Sequence, residues 1–146
     1  MRISRTVAAL LVALSAVCAS GTPSEAAAAN ACALVTVAEA SSAMGASSLP
    51  GKARATRRGT SCRYYSPNHT MNVFVQTIEA GDMMGAAQLG GKTIAGVGDK
   101  AIWAMGSLFV QKGSRYAQIG LYRSAKSMQT MDPQIVALGR VAASRM

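Results

Sequence analysis

Leu108-Phe109-Val110-Gln111-Lys112-Gly113-Ser114-Arg115-Tyr116-Ala117-Gln118-Ile119-Gly120-Leu121-Tyr122 is the stretch that decides the fold. Residues 108–112 and 115–122 are rich in strand formers and flank the pair Gly113-Ser114. Glycine at the first position of a two-residue loop suits a type II′ turn, whose twist matches that of the strands it joins. Folding back about that pair sets Val110 opposite Ala117 and Leu108 opposite Ile119 on one face. Phe109 and Gln111 then meet Gln118 and Tyr116 on the other. Turn and pattern agree on one register, so an antiparallel sheet is expected around this hairpin.

The rest of the chain supplies partners for that sheet. Residues 62–66, with Tyr64 and Tyr65, read as a strand; Pro67-Asn68-His69 reads as a turn and residues 71–78 as the returning strand. Asn68-His69-Thr70 has the spacing of a glycosylation sequon, taken here as a chance match. Thr36-Val37-Ala38-Glu39 has the Thr-x-x-Glu spacing of a capping box, which predicts a helix over 37–44 that stops at Gly45. Residues 79–88 form a weaker helical segment ahead of Gly90-Gly91, because Gly81 and Gly85 lower its propensity. Gly96-Val97-Gly98-Asp99 makes a turn into the short strand Ala101-Ile102-Trp103. Asp132 and Pro133 open a terminal helix, and Arg140 and Arg145 suit its carboxyl end. Its stripe of Ile135, Leu138, Val141, Ala142 and Met146 belongs on the apolar face of the sheet. Residues 46–60 show no apolar period and carry Lys52, Arg54, Arg57 and Arg58, so an exposed basic loop is expected there. The order predicts an α+β domain: an antiparallel sheet of about five strands, with N-terminal and C-terminal helices packed on one face and one disulfide.

The disulfide follows from the leader. Arg2 and Arg5 precede an uncharged run over 6–16, and small residues then continue to Ala26. That is the order of a secretory signal peptide, and the run is too short to span a bilayer. Cleavage is expected after Ala19 or Ala26, giving a signal over 1–26 and a single domain over 27–146. Val17 and Ser15 ahead of Cys18 do not fit a lipoprotein signal, so a lipid anchor at Cys18 is not expected. Export to the periplasm or beyond exposes Cys32 and Cys62 to oxidising conditions, where they should pair.

Composition narrows the function. The formal net charge is +9 with pI near 10.1, and setting aside Arg2, Arg5 and Glu25 leaves about +8. For an exported protein the anionic partners are headgroups, envelope polymers or acidic proteins, with peripheral membrane contact among them, rather than nucleic acid. The same excess also serves solubility. The nine methionines suit gap-filling in an Ala-rich core or a Met-lined partner groove, and none sits at ligand spacing beside Cys or His. No cofactor or metal is expected. Gly90-Gly91-Lys92-Thr93 resembles the end of a phosphate loop, but Ala86 stands where its first glycine is required. Gly96-x-Gly98 lacks the third glycine of a dinucleotide fingerprint. His69 is the only histidine, and no spacing brings Glu79, Asp82 and Asp99 together, so catalysis is not expected. Two binding candidates remain. Trp103, with Gly96, Gly98 and Asp99, would form a recognition loop around an aromatic anchor. Arg54, Arg57, Arg58 and Arg63, with Lys52, would form a salt-sensitive anion site.

In order along the chain, Cys32, Leu34, Thr36, Glu39, Gly45, Cys62, Tyr64, Gly96, Gly98, Asp99, Ala101, Trp103, Lys112 and Gly113 resemble the pattern of a family of small exported bacterial domains. Many of these are lipoproteins of unknown function. The resemblance spans most of the chain after the leader and implies a disulfide-linked α+β domain without catalytic residues. The expectation is therefore a non-enzymatic binding domain of the bacterial cell envelope. As a protein-interaction module it would act through Trp103. The alternative is an electrostatic binder of anionic envelope lipid or polymer through the basic loop 52–63.

Overall fold

The computed structural model describes residues 30–124 and 131–146. The leader over 1–26, its cleavage sites and Cys18 lie outside the described residues. Two short helices, α1 (Ala31–Leu34) and α2 (Val37–Met44), precede the strands β1 (Lys52–Thr56), β2 (Gly59–Tyr65) and β3 (Met71–Thr77). Helix α3 (Ala80–Gln88) leads to β4 (Lys92–Thr93), β5 (Lys100–Ala104), β6 (Ser107–Lys112) and β7 (Arg115–Arg123), and α4 (Pro133–Ser144) closes the chain. The strands form one seven-stranded sheet in the order β1-β2-β3-β7-β6-β5-β4. Every pairing is antiparallel. Two meanders are thus joined along β3 and β7, and α3 carries the chain from one to the other.

The α+β class, the antiparallel sheet and the disulfide stand. Strand number and helix placement differ from expectation. The sheet has seven strands rather than about five, and the helices occupy both of its faces. One additional strand is β1, inside the segment read as a loop. Lys52-Ala53-Arg54-Ala55-Thr56 alternates charged and small residues with period two, but alanine is too small to register as a buried stripe. Charged residues are also what an exposed edge strand requires, since they discourage pairing with other chains. The other is β4, two residues long.

The hairpin has the register read from its turn: Val110 opposes Ala117, Leu108 opposes Ile119, and Phe109 opposes Gln118. Helix α2 starts at a capping box in which the Glu39 amide donates to Thr36 Oγ1 and Glu39 Oε2 accepts from the Thr36 amide at 2.8 Å. It stops at Gly45 in the left-handed region, φ 69°. In α4, Asp132 accepts from the Gln134 amide at 3.0 Å and Pro133 follows.

The main core lies between one sheet face and α1, α2 and α4. Val73, Val75, Leu108, Val110, Ala117 and Ile119 meet Leu34, Ala40, Ala43, Ile135, Leu138 and Ala142 there. Gly139 lets α4 approach closely, since a Cβ there would lie 2.5 Å from Leu108 Cδ2. Cys32 and Cys62 are bonded with Cα atoms 5.0 Å apart, pinning α1 to β2. Closing about 30 residues is worth roughly 3–4 kcal/mol in the chain-entropy account. On the opposite face α3 lays Met83 and Ala86 over Ile78, Ile102, Ala104 and Phe109. That smaller core covers β5 and β6, and no described helix covers the same face over β1, β2, β3 and the second half of β7.

Candidate functional site

Side chains on the uncovered face fall into cross-strand rows, because residues directly opposite on adjacent strands share a face. The first row is Tyr65, Asn72 and Tyr122, on β2, β3 and β7. The second runs Lys52, Arg63, Phe74 and Gly120, from the β1 edge to β7. The third is Arg54, Ser61, Gln76 and Gln118. Three cations therefore stand at one end of the face, aromatic rings cross its middle, and amides fill the remainder.

The cationic end is built against its own electrostatics. Lys52 is directly opposite Arg63, and Arg54 is diagonal to Arg63. Like charges directly across a strand pair are destabilising. Nothing neutralises them: among the described residues Lys52, Arg54 and Arg63 take part in no ion pair, while Arg145, Arg58, Lys112 and Arg123 hold Glu39, Asp82, Asp99 and Asp132. The three cations, with Ser61 and Tyr65, line a shallow cavity of about 400 Å³. Arg63 stands beside an aromatic ring. Phe74 packs closely against Gly120, where a Cβ would come within 2.0 Å of Phe74 Cε1. The Arg63 guanidinium carbon in turn sits 5.8 Å from the Phe74 ring centroid, within reach of a cation–π contact. Glycine, ring and guanidinium thus follow one another across three strands, and Arg63 itself is exposed.

The cations read together from the sequence separate here. Arg58 pairs with Asp82 on α3, and this contact raises the Arg58 pKa. The Asp82 carboxyl is pushed up by burial, but the Glu79 amide and Arg58 outweigh this and lower it overall. Arg57 is exposed in the β1–β2 turn. Arg57 and Arg58 line a second groove of about 470 Å³ between α3 and the sheet, which Gln76, Gln118, Phe109, Leu89 and Met105 complete. Gln76 and Gln118 thus belong both to the open face and to this groove.

Around Gly96 and Asp99 the geometry is that of a fastening. Asp99 accepts from the Gly113 amide at 2.7 Å and from Lys112 Nζ at 2.7 Å, while its own amide donates to Gln111 O at 2.8 Å. The Gly113 amide and then the Lys112 ammonium hold the Asp99 carboxyl below its ordinary range. Gly98 has φ 57°, and a Cβ there would lie 2.4 Å from Gln111 O. Arg140 Nε reaches Gly96 O at 3.2 Å, and Val97 is buried. The segment ties the β6–β7 turn to α4. Trp103 stands near the far end of β5, about 13 Å from Asp99 at the rise of an extended strand, so the recognition loop expected from Gly96, Gly98, Asp99 and Trp103 is not assembled. Trp103 is half-buried against the main core and lines a groove of about 500 Å³ with Leu89, Lys92 and Met105. Gly91 is likewise structural: its amide donates to Ala86 O, and a Cβ there would lie 2.4 Å from Ile102 Cγ2.

The remaining titratable residues are dispersed. His69 sits in the β2–β3 turn with its ring 5.0 Å from that of Tyr65. Asp82 caps α3 by accepting from the Glu79 amide at 3.0 Å, at the opposite end of the strands. Among the described residues no three His, Cys, Asp or Glu side chains group as metal ligands, and no helix is long and apolar enough to cross a membrane. Sequence reasoning missed Tyr65, Phe74, Gln76, Gln118 and Tyr122 as members of one face. The alternation along β2, β3 and β7 carries them, but only the strand order shows which alternating positions coincide. Compared with protein-family models, curated proteins and solved structures, the chain has no significant match.

Proposed function

We propose that the protein is a non-enzymatic binder of an anionic component of the cell envelope, engaged through the open sheet face. The observation that carries this reading is the register of Lys52 opposite Arg63 with Arg54 beside them, none ion-paired among the described residues. A sheet edge needs only scattered charge to stay soluble. Three cations around one cavity, one of them within cation–π reach of an aromatic ring, suit a carboxylate or phosphate group, which favours converging donors and little neighbouring negative charge. The disulfide and the absence of a membrane-spanning helix among the described residues are compatible with work outside the cytoplasm.

The test is retention of the oxidised protein on an immobilised polyuronate, eluted by stepped salt. Lys52→Gln/Arg54→Gln/Arg63→Gln should abolish retention near physiological salt. Lys92→Gln/Lys100→Gln/Arg115→Gln removes the same charge elsewhere and should leave most of it. Equal losses in the two triple variants would reduce the interaction to net charge and overturn the assignment. A second reading rests on the groove beside Trp103, where Leu89 and Met105 are each 67% exposed and Met105 occupies a left-handed turn position, φ 49°. An exposed apolar side chain in that conformation suits a protein contact. On this reading Trp103→Ala, and not the cationic triple variant, would lose a partner.

A further inference from the structure

Resting on the anion-binding reading, we infer that the occupant of the open face is an acidic polysaccharide lying across the strands. Its charged group sits on Lys52, Arg54 and Arg63, and its uncharged rings lie on the aromatic and amide half. The division of the face carries the argument. Lys52, Arg54 and Arg63 occupy β1 and β2, whereas the positions continuing the same rows on β3 and β7 are Phe74, Gly120, Gln76 and Gln118. A ligand with a charge on every unit, such as a nucleic acid strand, would lay phosphates over Asn72, Phe74, Gly120 and Tyr122, where the rows offer no cation. A polymer with charge on only some units matches the pattern.

The chemistry of the uncharged half is that of sugar recognition. Tyr65 and Tyr122 stand at either end of the row through Asn72, about 10 Å apart at the ordinary strand spacing. Tyr122 is 44% exposed and offers a ring face to the C–H side of a pyranose, as amphipathic aromatics do. Asn72, Gln76 and Gln118 each carry a donor pair and an acceptor on one side chain, which match neighbouring hydroxyls. Gln76 and Gln118 are half-buried, and among the described residues neither side chain is engaged in a hydrogen bond, so both can serve a ligand. Gln76 and Gln118 continue into the groove beneath α3, extending the track past the sheet's centre line. A lipid surface fits less well, because the strongly exposed apolar side chains Met84, Leu89 and Met105 belong to α3, its C-cap and the β5–β6 turn, away from Lys52, Arg54 and Arg63.

The experiment titrates the oxidised protein with hyaluronan and unsulfated chondroitin oligomers, in which charged and uncharged sugars alternate, and separately with glucuronate monomer, neutral dextran, single-stranded oligothymidylate and vesicles of phosphatidylglycerol. At least one acidic oligosaccharide should bind at least ten-fold more tightly than oligothymidylate of equal charge, and dextran should not bind measurably. Tyr122→Ala should weaken that oligosaccharide about ten-fold without changing the slope of affinity against salt. Gln76→Ala/Gln118→Ala should do likewise, while Lys52→Gln/Arg54→Gln/Arg63→Gln should flatten the slope. Tighter binding of oligothymidylate, or binding of vesicles without either oligosaccharide, would overturn the inference in favour of nucleic acid or membrane. Acidic oligosaccharide binding that Tyr122→Ala leaves intact would overturn it while leaving anion binding in place. Failure of every anionic probe would overturn the underlying reading as well.

Discussion

Glu39→Gln tests the clasp that joins the two ends of the described chain. Glu39 Oε2 accepts from the Thr36 amide at 2.8 Å and from Arg145 Nη1 at 2.7 Å, and Oε1 accepts from Arg145 Nη2 at 2.6 Å. Arg145 Nη1 also donates to Leu34 O at 3.0 Å, so one guanidinium fastens α4 to both α1 and α2. The bond to Arg145 is the largest cause of a Glu39 pKa lowered from 4.5 to about 2, with the Thr36 bonds adding and burial opposing. A depressed carboxylate stabilises the fold above its unfolded pKa and loses that contribution as pH falls towards the folded value. At about 1.36 kcal/mol per pK unit, the fall sets a ceiling near 3.4 kcal/mol. The Glu39 side chain is 27% exposed, and solvent screening reduces this to about 1–2 kcal/mol. Glu39→Gln should therefore lower stability at pH 7 by about 1–2 kcal/mol, or roughly 4–10 °C in Tm. Urea unfolding from pH 7 to pH 2 would measure it. The wild-type advantage should be intact above about pH 5 and vanish as pH falls from 4.5 towards 2. Curves that stay parallel across that range would refute the ionic account of the clasp.

Gly120→Val should cost about 2–4 kcal/mol in urea unfolding, since its side chain would occupy the space of the Phe74 ring; anion affinity should fall with it because the ring beside Arg63 is displaced, and unchanged affinity would show that Arg63 does not depend on that ring. Cys32→Ser/Cys62→Ser should lose about 3–4 kcal/mol, with a matching loss on reducing the wild type and none on reducing the variant; a smaller effect would mean that Tyr64, which donates from its hydroxyl to Cys32 O and Val35 O, already holds α1 on β2.

What was legible in the sequence was what short-range chemistry determines. Thr36, Glu39 and Gly45 fix both ends of α2 within ten residues, and Gly113-Ser114 fixes the register of two strands at once. Asp132 and Pro133 likewise announce α4. The missing parts depend on residues far apart in the chain. Lys52-Ala53-Arg54 looks like a loop until Ala53 is placed opposite Cys62, because an exposed edge strand carries no buried stripe and only its pairing with β2 marks it as a strand. Arg145 was read as a complement to its own helix dipole, yet its partner Glu39 lies 106 positions away. Asp99 belongs by sequence to the turn into β5, yet its carboxylate accepts from the amide of Gly113, 14 positions away in the β6–β7 turn. The basic cluster was legible as charge but not as geometry. Arg54 and Arg63 converge because β1 and β2 form a hairpin, whereas Arg58, next to Arg57 in sequence, is drawn away by Asp82.

The two faces of the sheet spend the same strands differently, and this bears most directly on function. Along β2, Cys62 and Tyr64 turn into the main core while Ser61, Arg63 and Tyr65 turn out. Along β3, Val73 and Val75 turn in while Asn72, Phe74 and Gln76 turn out. Three helices close the inner face, so the fold gains its apolar burial there and needs little from the outer face beyond α3. Strand pairing alone would be served by small β-formers or opposite charges on the outer rows, at a gain of roughly 0.2–1 kcal/mol per pair. Instead, Lys52 faces Arg63, and the glycine that leaves room for Phe74 weakens the middle of β7. Both choices cost stability, and both position one guanidinium. On the anion-binding proposal, that cost is the expected trade for placing Arg63 beside Phe74 and next to Lys52 and Arg54 on one face.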